Sequence, residues 1–189
     1  MVLINSKQMP RHRRPSRGFT LLEALVTMAI VAIMLGLAAP SFVSFQRSSE
    51  LTATANAFIG ALSTARSEAL RRQLTVFVVP TTTGKWGDGL TIFADVNKSG
   101  GEKIDSTDAL IVKTDAIPGS VSASVYTGGY VAFNGAGFMT TTANSIALAG
   151  SIDFTSIDSS IVARRVITSP AGRMRVCKTT DTGCDKDSL

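Results

Sequence analysis

Between Phe19 and Pro40 the chain reads FTLLEALVTMAIVAIMLGLAAP, apolar or small at nearly every position, with one charge at Glu23. About 20 such residues are enough to cross a bilayer as a helix. Past Pro40 the helical pattern resumes in a different form. Leu51, Ala55, Phe58, Leu62, Ala65 and Ala69 draw one apolar stripe, at alternating spacings of four and three, while Arg47, Glu50, Arg66 and Arg71 fall off it. The spacing predicts one long helix in two parts: residues 19–40, apolar enough for a membrane, and amphipathic residues 41–73 with the stripe laid on a sheet. From Leu74 the period changes. Short β-branched segments at 74–80, 90–96, 109–114, 120–126, 130–134, 145–150 and 160–168 are separated by Gly, Asn, Asp and Thr, which predicts antiparallel strands in one sheet or two. A helix followed by a run of strands makes the fold class α+β, a long N-terminal helix packed on a β-rich head spanning residues 74–189.

A chain of 189 residues, 44% apolar, can bury one ordinary core. Its formal charge of +5 is not evenly spread. Lys7, Arg11, Arg13, Arg14 and Arg17 form a basic leader over residues 1–18 that contains no acid, and from Phe19 onward 14 basic residues face 14 acidic ones. The body is formally neutral, so any basic patch has to arise from local arrangement. His12, the only histidine, lies in that leader. Without it the chain has no imidazole for a Ser/His/Asp triad, an HExxH zinc site or a histidine base, and no paired carboxylates stand out. The reading is a non-enzyme with no catalytic residue, no metal site and no cofactor.

A basic stretch before an apolar helix keeps the N-terminus cytoplasmic and sends the rest across the membrane. A cleavable secretory signal shares those features. Glu23 argues against it, because a carboxylate inside an apolar segment costs about 2.5 to 3.5 kcal/mol near the bilayer centre and a disposable signal has no use for one. Gly18-Phe19-Thr20-Leu21-Leu22-Glu23 resembles the processing motif of type IV pilins and type II secretion pseudopilins. That resemblance implies cleavage between Gly18 and Phe19 by a prepilin peptidase, and N-methylation of Phe19. It also implies that Glu23 neutralises the amine of Phe19 during filament assembly, and that Pro40 kinks the helix. The implied setting is inner-membrane lipid, crossed once with the head periplasmic, then a pilus on the cell surface among major and minor pilins. Trp86-Gly-Asp-Gly-Leu90, Asp95-Val-Asn-Lys-Ser-Gly100 and Val131-Ala-Phe-Asn-Gly-Ala-Gly137 are similar to the sheet region of the GspH/FimT branch of minor pilins.

Asp95, Asn97, Ser99 and Gly100 imitate the first half of an EF-hand loop, but Ser106 stands where a bidentate Glu is needed and Lys103 adds a positive charge. An Asx-rich turn is the better reading, and the glycines of Asn134-Gly-Ala-Gly137 are turn glycines. Near the C-terminus, Ser169-Pro170-Ala171-Gly172 suits a tight turn between antiparallel strands. Arg173 and Arg175 then share one face of the second strand, and Met174 and Val176 the other. With a symmetric four-residue loop, Thr168 lies opposite Arg173 and Arg164 opposite Cys177, so Arg164 joins the arginine face; a slip of one residue substitutes Arg165. Arg164, Arg165, Arg173, Arg175 and Lys178 are five basic residues with no acid between Ser159 and Thr180. Guanidinium forks suit phosphate oxygens. Gly172-Arg173-Met174-Arg175 resembles the C-terminal GRxR motif of FimT-type minor pilins, which implies non-specific binding of double-stranded DNA during natural transformation through Arg173 and Arg175. Charge and position add Lys178, Arg164 and Arg165. Few aromatics lie nearby in sequence, so base stacking is not indicated. In the alternative reading, a GspH-like pseudopilin or pilus-priming subunit, the arginines are inert or touch other subunits. Cys177 and Cys184, the only cysteines, lie beyond the apolar helix, where an oxidising compartment favours a disulfide; a metal-binding thiol pair lacks histidines to complete its ligands.

Overall fold

The computed structural model describes residues 18–100, 103–143, 145–147 and 149–185, with backbone alone for 37–40. The expected helix is α1, Leu21–Arg72. Its start is capped by Thr20, whose hydroxyl accepts from the Glu23 amide at 3.2 Å. Glu23 thus has a local role as well: it completes the T-x-x-E spacing of a capping box and sets a carboxylate at the positive end of the helix dipole. The helix ends at Gln73, which adopts a left-handed conformation with φ 55°.

The chain divides into two compact units, Met1–Ser41 and Phe42–Leu189. In the first, Leu21, Leu22, Leu25, Met28, Ile33 and Met34 are all exposed, so apolar side chains clothe the helix without a protein partner. By length and composition no single described helix qualifies as a membrane span; Leu21–Gly36 and Ser41–Arg72 qualify only as a pair. The side chain of Pro40, and with it the expected kink, lies outside the described residues, as does the leader 1–17.

In the second unit all six residues of the predicted stripe are buried. They pack on two antiparallel sheets. The strands are β1 (Thr75–Thr82), β2 (Lys85–Asp95), β3 (Ala109–Lys113), β4 (Val121–Ala123), β5 (Val131–Phe133), β6 (Gly150–Ser156), β7 (Arg164–Thr168) and β8 (Met174–Lys178). One sheet runs β3-β2-β1-β5 and the other β4-β6-β7-β8. Phe58 of α1 ties them together, its ring edge-on to Trp86 of β2 at 5.6 Å and to Phe154 of β6 at 5.5 Å.

Three strand expectations are corrected. The segment 145–150 supplies only an isolated bridge, Thr140 to Ile146, and the strand is β6. In β6 the buried Ile152 and Phe154 alternate with the less buried Asp153 and Thr155, a pattern that its Gly, Ser and Asp content obscured. The second strand begins at Lys85 rather than 90, so the Trp86 stretch lies within β2. The seventh begins at Arg164 rather than 160, because the Asp158 carboxylate accepts from the Ser160 amide at 3.1 Å and hydroxyl at 2.7 Å and holds a turn there.

Tyr126 is buried, with its hydroxyl 2.5 Å from Thr168 Oγ1 at the end of β7; Thr168 in turn donates to the Gly150 carbonyl at 3.2 Å. Burial pushes the phenol up to about 12. The fold accommodates the neutral form, so its contribution is fully present below the ordinary tyrosine value of about 10 and is lost as pH rises through the folded value. Urea unfolding of Phe42–Leu189 between pH 9 and pH 12 is expected to show stability falling across this window. The Tyr126→Phe variant should show a visibly flatter fall.

Candidate functional site

The hairpin of β7 and β8 carries the C-terminal basic residues, and its turn sets their directions. Gly172 N donates to Ser169 O at 2.8 Å, the tight turn that the Pro and Gly positions predicted. Ser169 N donates to Arg173 O at 2.9 Å, so these two residues face each other across a loop of three residues, not four. Gly172, at φ 76°, supplies the left-handed residue that follows the turn in such loops. An odd loop moves the register by one. Thr168 pairs with Met174, Arg164 with Lys178 and Arg165 with Cys177. Arg165 rather than Arg164 therefore shares the face of Arg173 and Arg175, while Arg164 lies on the side of Val166, Met174 and Val176, which pack on the core.

Arg66 of α1 holds the loop in place. Its Nε donates to the Gly137 carbonyl at 2.9 Å, one terminal nitrogen to Gly172 O at 3.0 Å and the other to Ala171 O at 3.2 Å. A Cβ on Gly172 would meet Gly137 O at 2.5 Å and Arg66 Nε at 2.9 Å, so glycine is required both by its φ and by this close approach. Nothing in the sequence marked Arg66, one of several charged residues off the helix stripe.

The five basic residues do not form one patch. Arg173 is exposed at the tip, and its guanidinium takes no hydrogen bond among the described residues. Lys178 is exposed at the far end of β8, roughly 17 Å along the strand at 3.4 Å per residue. Beside it Arg164 donates to the Val162 carbonyl at 2.8 Å. Arg165 and Arg175 turn onto the loop closed by Cys177 and Cys184, which form a disulfide with Cα atoms 5.9 Å apart. Arg175 donates to the Gly183 carbonyl. Arg165 donates to Cys184 O at 2.8 Å and forks onto Asp153 of β6 at 2.6 and 2.8 Å. Its side chain is 14% exposed, and the Asp153 carboxylate holds the guanidinium above the usual arginine range. Asp153 was not anticipated, because the strand that presents it was misplaced.

Gly18 and Phe19, expected to flank the processing site, and Glu23, expected to act in filament assembly, are all exposed. The half-loop at Asp95 is filled by its own backbone, the carboxylate accepting from Ser99 N and Gly100 N, each at 3.0 Å. Among the described residues no cluster of His, Cys, Asp and Glu could hold a metal.

The family described as type II transport protein GspH matches residues 54–172, and the prokaryotic N-terminal methylation motif matches residues 13–39. The chain belongs to the GspH family. It is a minor pilin or pseudopilin with an N-terminal hydrophobic helix, a membrane-anchored component of a pilus-type assembly. The fold is similar to that of the type IV minor pilin FimU of Pseudomonas aeruginosa, at 18% identity and a TM-score of 0.56 over 72% of this chain and 95% of FimU. A second crystal form of FimU gives 17% identity and a TM-score of 0.53, over 69% and 94% of the two chains. The minor pseudopilin EpsH from the type 2 secretion system of Vibrio cholerae is also similar, at 12% identity and a TM-score of 0.49, over 70% of this chain and 99% of EpsH. No curated protein matches the chain. The GspH match stops at Gly172, just before Arg173 and two residues before β8 begins.

Two outcomes are expected from this geometry. Gly172→Ala forces a left-handed alanine against Gly137 O and is expected to cost about 2 kcal/mol or more, read as a lowered urea midpoint of the head. Cys177→Ser with Cys184→Ser should lose roughly 2 to 3 kcal/mol in the chain-entropy account of a short loop, and should make unfolding insensitive to reductant.

Proposed function

We propose that this subunit binds double-stranded DNA without sequence preference through its C-terminal hairpin, for DNA uptake in natural transformation. In this reading prepilin peptidase cuts between Gly18 and Phe19 and Phe19 is methylated. The chain then crosses inner-membrane lipid once with its head in the periplasm, and Glu23 neutralises the Phe19 amine as the subunit joins other major and minor pilins on the cell surface.

The observation that carries the DNA reading is Arg173: an exposed guanidinium on a tip immobilised by Arg66, with little left to order when it meets a phosphate. Lys178 and Arg164 add positive charge at the far end of the strand on its other face, so they meet a duplex backbone separately from Arg173. Arg175 and Arg165 act as positioning residues that fasten the disulfide loop. Their internal hydrogen bonds also favour a second reading, in which the hairpin is a structural element of a GspH-like pseudopilin and touches only other subunits.

A salt titration of duplex binding by the mature chain in detergent micelles separates the two. Dissociation constants of about 10⁻⁴ to 10⁻⁶ M are expected near physiological salt, weakening steeply as salt rises. Arg173→Gln and Lys178→Gln should each reduce the slope of log K against log salt by about 1, the signature of one lost phosphate contact. Absence of binding by the parent at low salt would leave the pseudopilin reading.

A further inference from the structure

Phe138 is 50% exposed, whereas Met139 beside it is buried. The loop that presents it is closely tied. Asn134 Oδ1 accepts from Ala136 N at 3.0 Å and from Phe138 N at 3.1 Å, and Asn134 N donates to Phe138 O at 2.9 Å. This loop lies against the tip of the basic hairpin. Met139 N donates to Pro170 O at 2.9 Å, Arg66 bridges Gly137 O and Gly172 O, and Gly137 O lies 2.5 Å from where a Gly172 Cβ would stand. Phe138 and Arg173 are therefore the residues that directly follow two glycines whose backbones touch. Few aromatics lie near the arginines along the chain, yet the fold fastens the Phe138 loop to the tip that carries Arg173.

We propose that Phe138 is a stacking platform for an unpaired nucleic-acid base, with Arg173 holding the neighbouring phosphate, so that the hairpin tip engages single-stranded DNA as well as the duplex backbone. This deepens the DNA-binding reading above and rests on it. An exposed aromatic and an exposed guanidinium carried on two loops fastened to each other is the combination that single-strand binders use, because every base has a π-face and every nucleotide a phosphate. In an intact duplex those faces are already stacked on each other, so the phenyl adds nothing there and the arginine acts alone. The platform is also sequence-tolerant, as uptake without preference requires.

The test uses the mature chain in detergent micelles, titrated with an oligo-dT single strand and with a blunt duplex of equal length. Phe138→Leu keeps an apolar side chain but removes the ring; single-strand affinity should fall roughly tenfold while duplex affinity stays within about twofold. Phe138→Trp should retain single-strand binding, and its indole fluorescence should be quenched by the single strand and not by the duplex. Arg173→Gln should weaken both ligands. Unchanged single-strand affinity in Phe138→Leu, or an unquenched Phe138→Trp, overturns the stacking platform, and the Arg173→Gln result on duplex then decides the DNA reading separately. A parent chain that binds neither ligand overturns both.

Discussion

Among the described residues Arg66 meets no carboxylate; its three guanidinium nitrogens donate to main-chain carbonyls of Gly137, Ala171 and Gly172. Hydrogen bonds from a charged donor are stronger than neutral ones, and a guanidinium presents several in a fixed plane. One helix side chain can therefore dictate the spacing of two loops that are 35 residues apart in sequence, 137 and 172. Gly172 is a glycine because its backbone comes closer to Gly137 O and to the guanidinium than a Cβ permits, and Gly137 because its φ of 79° lies in the left-handed region. The hairpin tip, its odd loop and the orientation of everything after Gly172 follow from that contact.

Beyond the tip, the basic strand divides its labour. Arg165 and Arg175 point onto the disulfide loop and are met by its carbonyls, with Asp153 taking the remaining edge of Arg165. The loop has few apolar side chains of its own, so it is held by one covalent bond and by cations that donate to its backbone carbonyls. What remains for a partner is positive charge at the two ends of β8; between them Arg165 is neutralised by Asp153 and Arg175 is turned onto the Gly183 carbonyl. A count of basic residues in this stretch overstates the charge a ligand meets.

Much of this was legible in sequence. All six stripe residues of α1 are buried, joined by Thr54 among the described residues of the helix, since helical period and apolar identity point the same way there. The turn at Ser169 was readable from its Pro and Gly. The register was not, because a loop of three and a loop of four share the same turn residues and differ only in whether Gly172 extends the turn by one left-handed step. β6 was hidden for a related reason: Gly150 and Asp153 are poor strand formers taken alone, yet Tyr126 lies where a Gly150 side chain would be, and Arg165 pairs with Asp153. Contacts between distant segments, such as Arg66 with Gly172 or Phe138 beside Arg173, leave no local trace, because each residue is ordinary in its own neighbourhood.

The outward-facing apolar side chains of the first unit bear on how such a subunit changes place. Lipid tails and the packed interior of a filament are both hydrocarbon-like, so moving Leu21, Leu22, Leu25 and Ile33 from one to the other removes no apolar surface from water. The hydrophobic effect keeps this helix out of solvent but is nearly indifferent between its two destinations. Any preference for one over the other has to come from groups for which the destinations differ: the lone carboxylate of Glu23, and the polar faces of the head.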